Sequence, residues 1–196
     1  MHVTVGRQHC KFSQMDPWVR PIAYNGIRPT IPDSVFVAPF AAIIGDVVIG
    51  EASSIWYHCT VRGDVNRIRI GTRTNVQDNA VLHVTHDTHP LEIGDRVTCG
   101  HAVTLHGCTI EDETLIGIGA TVLDGAVVES GSIVAAGTLV PPGMIVRAGT
   151  IVAGVPARVL RELRPTERED ISASAERYVA YASISRSELA GWERPT

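Results

Sequence analysis

What this chain has little of narrows its class first. Aromatic residues are only 5% of 196 positions while glycine numbers 18, a balance that suits a thin core filled by Val, Ile and Ala. Formal net charge is −4 with no basic block, so there is no electrostatic footprint for nucleic acid. No apolar run approaches the ~20 residues that a membrane span needs. The first residues lack the apolar segment of a signal peptide. Cys10, Cys59, Cys99 and Cys108 form no C-x-x-C pair, which argues for free thiols rather than disulfides. Together these absences set the expectation of a soluble cytoplasmic protein.

What is present is a period of six. Aliphatic residues recur at Ile31, Val37, Ile43, Ile49, Ile55 and Val61, then at Ile70, Val76 and Leu82. Further runs are Ile93, Cys99 and Leu105, and Ile110 through Val152 at every sixth position. Small residues fall four places later, as at Ala120, Ala126, Ser132 and Thr138, and Gly often follows the aliphatic position. Such a period reads as a parallel β-helix in which three hexapeptides close one triangular coil. It does not fit an α-helix, because six residues walk an apolar position around a helix with 3.6 residues per turn.

The repeat divides the chain. Residues 1–19 carry no repeat and are expected to be a poorly ordered extension. Residues 20–157 form the β-helix domain, interrupted by three extra residues near Arg67 and by a loop around Asp87–Glu92. Interruptions of a solenoid usually mark its binding face. Residues 158–196 hold a C-terminal helix and tail. Thr166 and Glu169 have the form of a capping box, and Ile171, Ala175, Tyr178, Val179 and Ala182 make a helical stripe.

Five of the eight histidines fall between Leu82 and Gly107: His83, His86, His89, His101 and His106. Imidazole is the commonest side-chain metal ligand at physiological pH, and three protein ligands with one open position make a catalytic zinc site. Every third repeat unit returns to the same face, so Arg62, His83 and His106 stack in a ladder ~4.8 Å apart. His101 belongs to the preceding face together with Gln77, and its reach to the same metal depends on the corner between. In a three-fold oligomer, His101 of one chain can face His83 and His106 of the next. The spacing therefore predicts a metal site at each interface of a trimer.

These motifs resemble the γ-class carbonic anhydrase family of left-handed hexapeptide β-helices, in its short-loop branch. The matching segments are Arg62-Gly63-Asp64, Asn75 to Asn79, His83 to His86, Gly100-His101, Leu105 to Cys108 and Gly154 to Ala157. The resemblance implies a left-handed coil and a homotrimer with Zn2+, Fe2+ or Co2+ held by His83 and His106 of one subunit and His101 of another. It implies an intersubunit ion pair of Arg62 with Asp64, and Gln77 close to the metal-bound solvent. The implied reaction is reversible hydration of CO2 to bicarbonate by metal-bound hydroxide, with Tyr178 lining the pocket.

Two positions depart from the family pattern. His86 stands where the archetypal enzymes carry a proton-shuttling Glu, and Val65 replaces a second Glu after the Arg-x-Asp motif. With an intrinsic pKa of ~6.5, His86 could move the proton itself; it could equally be a supporting residue that never does. Two other functions stay open: a metal-bearing structural or assembly trimer with little catalysis, and acyl transfer or thioester hydrolysis as in other hexapeptide proteins.

Overall fold

A computed structural model of the protein describes residues 20–190, so the expectation for residues 1–19 lies outside the described residues. The period of six becomes short parallel strands, mostly two or three residues long, joined by tight corners. Branched aliphatic side chains suit the inward position because a pleated, half-buried surface accommodates them well. From Ile43 to Val152 the inward residues named from the repeat are all at most 4% exposed. Ile31 and Val37 are partly buried and pack against the same core. The small residues beside them are sealed as well, Ala120, Ala126 and Ser132 completely and Thr138 nearly so.

Each coil visits three faces in turn. The first face carries Phe36–Val37, Ser54–Ile55, Asn75–Val76, Thr98–Cys99, Leu115–Ile116, Ile133–Val134 and Thr150–Ala153, one strand for each of seven turns. The second carries Ala42–Ile49, Thr60–Ile70, Val81–His83, Thr104–His106, Thr121–Val122 and Leu139–Val140, and the first two of these strands continue round the corner into the third face. Leu91–Ile93, Thr109–Ile110, Val127–Val128 and Ile145–Val146 complete the third. Stacking is strictly in register across the second face, where Leu105 lies over Leu82 and His106 over His83.

Corners need a left-handed backbone, and residues with positive φ fall at the same corner coil after coil. Phe40, His58, Asn79, Ala102, Gly119 and Gly137 form one such column. The extra residues near Arg67 lie within the eleven-residue strand Thr60–Ile70 as a register shift. Val65 sits in that bulge and packs against the core, where a glutamate would bury a charge.

Beyond Pro156 the periodicity ends, yet Arg158–Glu162 forms one more strand, antiparallel to Thr150–Ala153. The C-terminal helix then runs Pro165–Ala190. It starts one residue before the expected capping box: Pro165 takes the first helical position, and Glu167, not Glu169, reaches back to the Arg164 N–H at 2.9 Å. The helix lies against the first face, where Ala182 joins a cluster with Phe36, Ala38 and Trp56, with Tyr178 packed beside it. No helix among the described residues is long and apolar enough to cross a membrane.

Candidate metal centre

His83 and His106 are the last residues of neighbouring strands on the second face. Strand register sets their side chains one above the other, pointing out of the prism. Their rings tilt toward each other with centroids 5.1 Å apart, and His83 Nδ1 lies 3.1 Å from His106 Nε2. Behind each ring stands a carboxylate. Asp64 Oδ1 is 3.1 Å from His83 Nε2, and Asp124 Oδ1 is 2.7 Å from His106 Nδ1. Arg62 donates to Asp64 within the same chain, and Thr85 Oγ1 donates to Asp124 Oδ2 at 2.9 Å.

Partial burial works to raise both carboxyls, but hydrogen bonds outweigh it and hold them below the usual carboxylate range. The bonds come from Arg62 and His83 for Asp64, and from His106 and Thr85 for Asp124. His83 moves down, chiefly because burial disfavours its charged form, although Asp64 pulls the other way. An ionised carboxylate only accepts, so it takes the N–H of the ring nitrogen beside it. The two inner nitrogens are thus left as lone pairs facing each other at 3.1 Å. Two lone pairs at that separation repel unless a cation lies between them. The donor set therefore fits a divalent metal, each ring held from behind by the kind of carboxylate that orients ligating histidines.

His101 is elsewhere. It occupies the turn joining the first face to the second, at the edge of the second face opposite His106. The expectation had placed it on the preceding face. It sits in the corner itself, because the strand ends at Cys99 and Ala102 takes the left-handed corner conformation. A corner and the strand Thr104–His106 separate His101 from the end of the face where His83 and His106 meet. Among the described residues, no third His, Cys, Asp or Glu joins His83 and His106 at a point able to hold a metal ion. His101 has its own carboxylate, with Nδ1 2.8 Å from Asp78 Oδ2.

Tyr178 stands with His101 rather than with the paired histidines. A cavity of about 350 Å³ is lined by Trp56, Asp78, His101, Tyr178, Tyr181 and Ile184. Tyr178 meets Trp56 and Tyr181 edge-on, with ring centroids 5.5 and 5.6 Å away, and burial followed by Asp78 raises its hydroxyl pKa. Gln77 lies on the first face, only 6% exposed, and donates to Asn75 Oδ1 at 3.1 Å. The candidate residues thus fall into two groups, at opposite edges of the second face, with His86 apart from both. His86 is on the loop after His83, its side chain 72% exposed and its Nδ1 3.0 Å from Asp87 Oδ2. His89 folds back toward Gly107 and Gly125.

Three groups were not among the candidates read from sequence: Asp78, Asp124 and Thr85. The signal for the carboxylates was available, because each precedes or follows its histidine by about one coil. Asp124 follows His106 by 18 residues, and Asp78 precedes His101 by 23 because that coil carries the 84–90 loop.

No family model matches the chain. Among curated proteins it is 50% identical over 167 residues to "Gamma carbonic anhydrase 1, mitochondrial" of Arabidopsis thaliana, covering 83% of this chain and 61% of that protein. It thus spans less than two thirds of that relative's length. It is 47% identical over 156 residues to "Carbonic anhydrase" of Geobacillus kaustophilus, covering 80% of this chain and 85% of the relative. Among solved structures, a Bacillus cereus protein provisionally described as an acetyltransferase superposes with a TM-score of 0.85 at 40% identity, over 87% of this chain and 98% of that one.

Proposed function

This chain belongs to the γ-class carbonic anhydrase family, and from that premise we propose that copies of it share a divalent metal and there interconvert carbon dioxide and bicarbonate. One observation carries the reading: two imidazoles converge at 3.1 Å, each backed by a carboxylate, while the third waits at the far edge of the same face. His83 and His106 of one copy and His101 of the next would hold the ion, Zn2+ in our reading, with Fe2+ or Co2+ as substitutes. A homotrimer closes such a head-to-tail contact. When bound, the ion supplies Lewis acidity that brings the pKa of a coordinated water from 15.7 to about 7.

The chain's own residues do the rest. Asp64 and Asp78 turn His83 and His101, and Arg62 holds Asp64 in its ionised form. The same Arg62 and Asp64 lie on the face that meets the neighbouring copy, so their pairing also serves the interface. Gln77 and Tyr178 come to the site with His101, Gln77 to orient solvent and Tyr178 as an apolar wall. Hydration of CO2 to bicarbonate releases one proton per turnover. In our reading His86, exposed on its loop, passes that proton to solvent. We assign the protein to the cytoplasm, where its buried thiols stay reduced.

One observation favours the structural reading enough to keep it as the rival. His86 is paired with Asp87 at the loop tip and touches none of the site residues in the described chain. A metal that only holds the trimer together would need no shuttle. Stopped-flow CO2 hydration on anaerobically purified protein with the metal counted decides between them. Turnover that scales with metal content supports the enzyme, and full metal occupancy without hydration supports the structural trimer. For the site itself, His83→Ala, His101→Ala and His106→Ala should each lose most bound metal while His89→Ala keeps it. Equal loss in the His89 variant would move the site into the loop.

A further inference from the structure

The geometry points to Asp124 as the positioning residue that fixes the His106 ring and ties the 84–90 loop to it. The functional consequence rests on the metal reading above, but the geometry stands without it. Asp124 uses both oxygens: Oδ1 lies 2.7 Å from His106 Nδ1 and Oδ2 accepts from Thr85 Oγ1 at 2.9 Å. An acceptor at that nitrogen requires His106 to carry its proton on Nδ1. The bare Nε2 is then the atom turned toward His83 Nδ1.

Thr85 is the pivot of the loop. Its N–H donates to the His89 carbonyl at 3.0 Å, its own carbonyl accepts from Asn66 Nδ2 at 3.1 Å, and its hydroxyl is the donor to Asp124. Both interruptions of the solenoid therefore meet at Thr85. The bulge arrives through Asn66 and the loop through its backbone.

Two glycines in the backbone beneath provide the room this arrangement needs. Gly107 has φ +55, and a Cβ there would lie 2.3 Å from Asp124 Oδ1 and 2.7 Å from His89 Cβ. Gly125 has φ +67, and its Cβ would come within 3.2 Å of His89 Nε2. Two glycines thus let the loop settle onto the corner and let Asp124 lie flat against it. A residue that merely decorated the surface would not need that clearance.

Long-range 1H–15N correlations in metal-free protein with labelled histidine read the tautomer of His106 directly, and chelator competition with Zn2+ reads the affinity. Wild type should show the proton on Nδ1. Asp124→Ala should shift His106 toward the Nε2–H form that an unconstrained imidazole prefers, and should weaken zinc binding 10- to 100-fold. Asp124→Asn, which keeps shape and one carbonyl acceptor, should fall between the two. Thr85→Val should accelerate hydrogen exchange of the loop amides, the His89 N–H among them, with a smaller loss of affinity.

An Nε2–H tautomer in wild type, or folded Asp124→Ala protein with unchanged tautomer and affinity, overturns the assignment. If Asp124→Ala does not fold, Asp124→Asn with wild-type tautomer and affinity overturns it equally. Unchanged loop exchange in Thr85→Val overturns the link to the loop. Should wild type bind no zinc, the metal reading fails while tautomer and exchange still judge Asp124.

Discussion

At the scale of single residues, each histidine proposed as a ligand is held by a carboxylate roughly one coil away. That arrangement follows from the repeat, because a fixed coil length stacks chemically complementary side chains without any long-range search. It was legible in sequence as a spacing of 18 or 19 residues for Asp124 and Asp64, and of 23 for Asp78 where the loop lengthens the coil, yet the repeat drew attention to faces and not to the pairs between coils. The contact of Arg62 with Asp64 inside one chain was not legible, since an Arg two residues away can turn either to its own chain or to another.

His86 stands where the family resemblance implies a proton-shuttling Glu, and its exposed position makes a specific demand. A proton shuttle matters when proton export limits turnover. His86→Ala should therefore lower kcat more than kcat/KM, with imidazole buffer restoring the rate. Steady-state hydration kinetics at several buffer concentrations check this. A defect indifferent to buffer refutes the shuttle.

At the scale of elements, the strands were legible nearly residue by residue. Hydrophobic periodicity is set by which side chains can enter a narrow prism, and nothing tertiary competes with it there. The helix was legible in existence and in its stripe, but its start was misplaced. The signals at Pro165 and Thr166 compete, and proline at the first helical position won. The strand Arg158–Glu162 carries no repeat signal. It forms by backbone pairing to the last coil, with every side chain exposed.

Glu167 gives this element a pH dependence. Hydrogen bonds from Arg161, then Arg164, hold its carboxyl far below the usual glutamate value of 4.5. The folded pKa is depressed, so its contribution is complete above about pH 4.5 and is lost as pH falls toward the folded value. Glu167→Gln should melt lower than wild type at pH 7, with the gap narrowing below pH 4.5. Thermal unfolding across that range is the check, and a gap that widens on acidification contradicts the assignment. Where the helix meets the first face, Trp56→Ala removes a ring that packs on Phe36 at 5.2 Å and on Tyr178 at 5.5 Å. It should cost about 3 kcal/mol or more of stability, measured by denaturant unfolding.

At the scale of the whole molecule, the chain presents two incomplete groups of candidate ligands at opposite edges of the second face. His83 and His106 lie at one edge of the second face and His101 at the other, with Gln77 and Tyr178 belonging to the His101 side. A single prism cannot close them, because side chains leaving different edges of a face diverge. Copies arranged head to tail around a three-fold axis would bring unlike edges together, and each junction would complete one site. The spacing of the repeat already points to that arrangement; the structure adds which residues lie with which edge.

Subunit mixing tests this directly. His101→Ala and His106→Ala each destroy every junction in their own trimer, so each alone should bind almost no metal. Unfolded together in equal amounts and refolded, they should form mixed trimers in which a junction is intact when an undamaged pair meets an undamaged His101. Random assortment makes about one junction in four intact for a cyclic trimer, so bound metal should return to about a quarter of the wild-type content. Recovery to that level supports a site shared between copies. No recovery, with both variants refolded as trimers, would show that the three histidines act within one chain or do not share a metal at all.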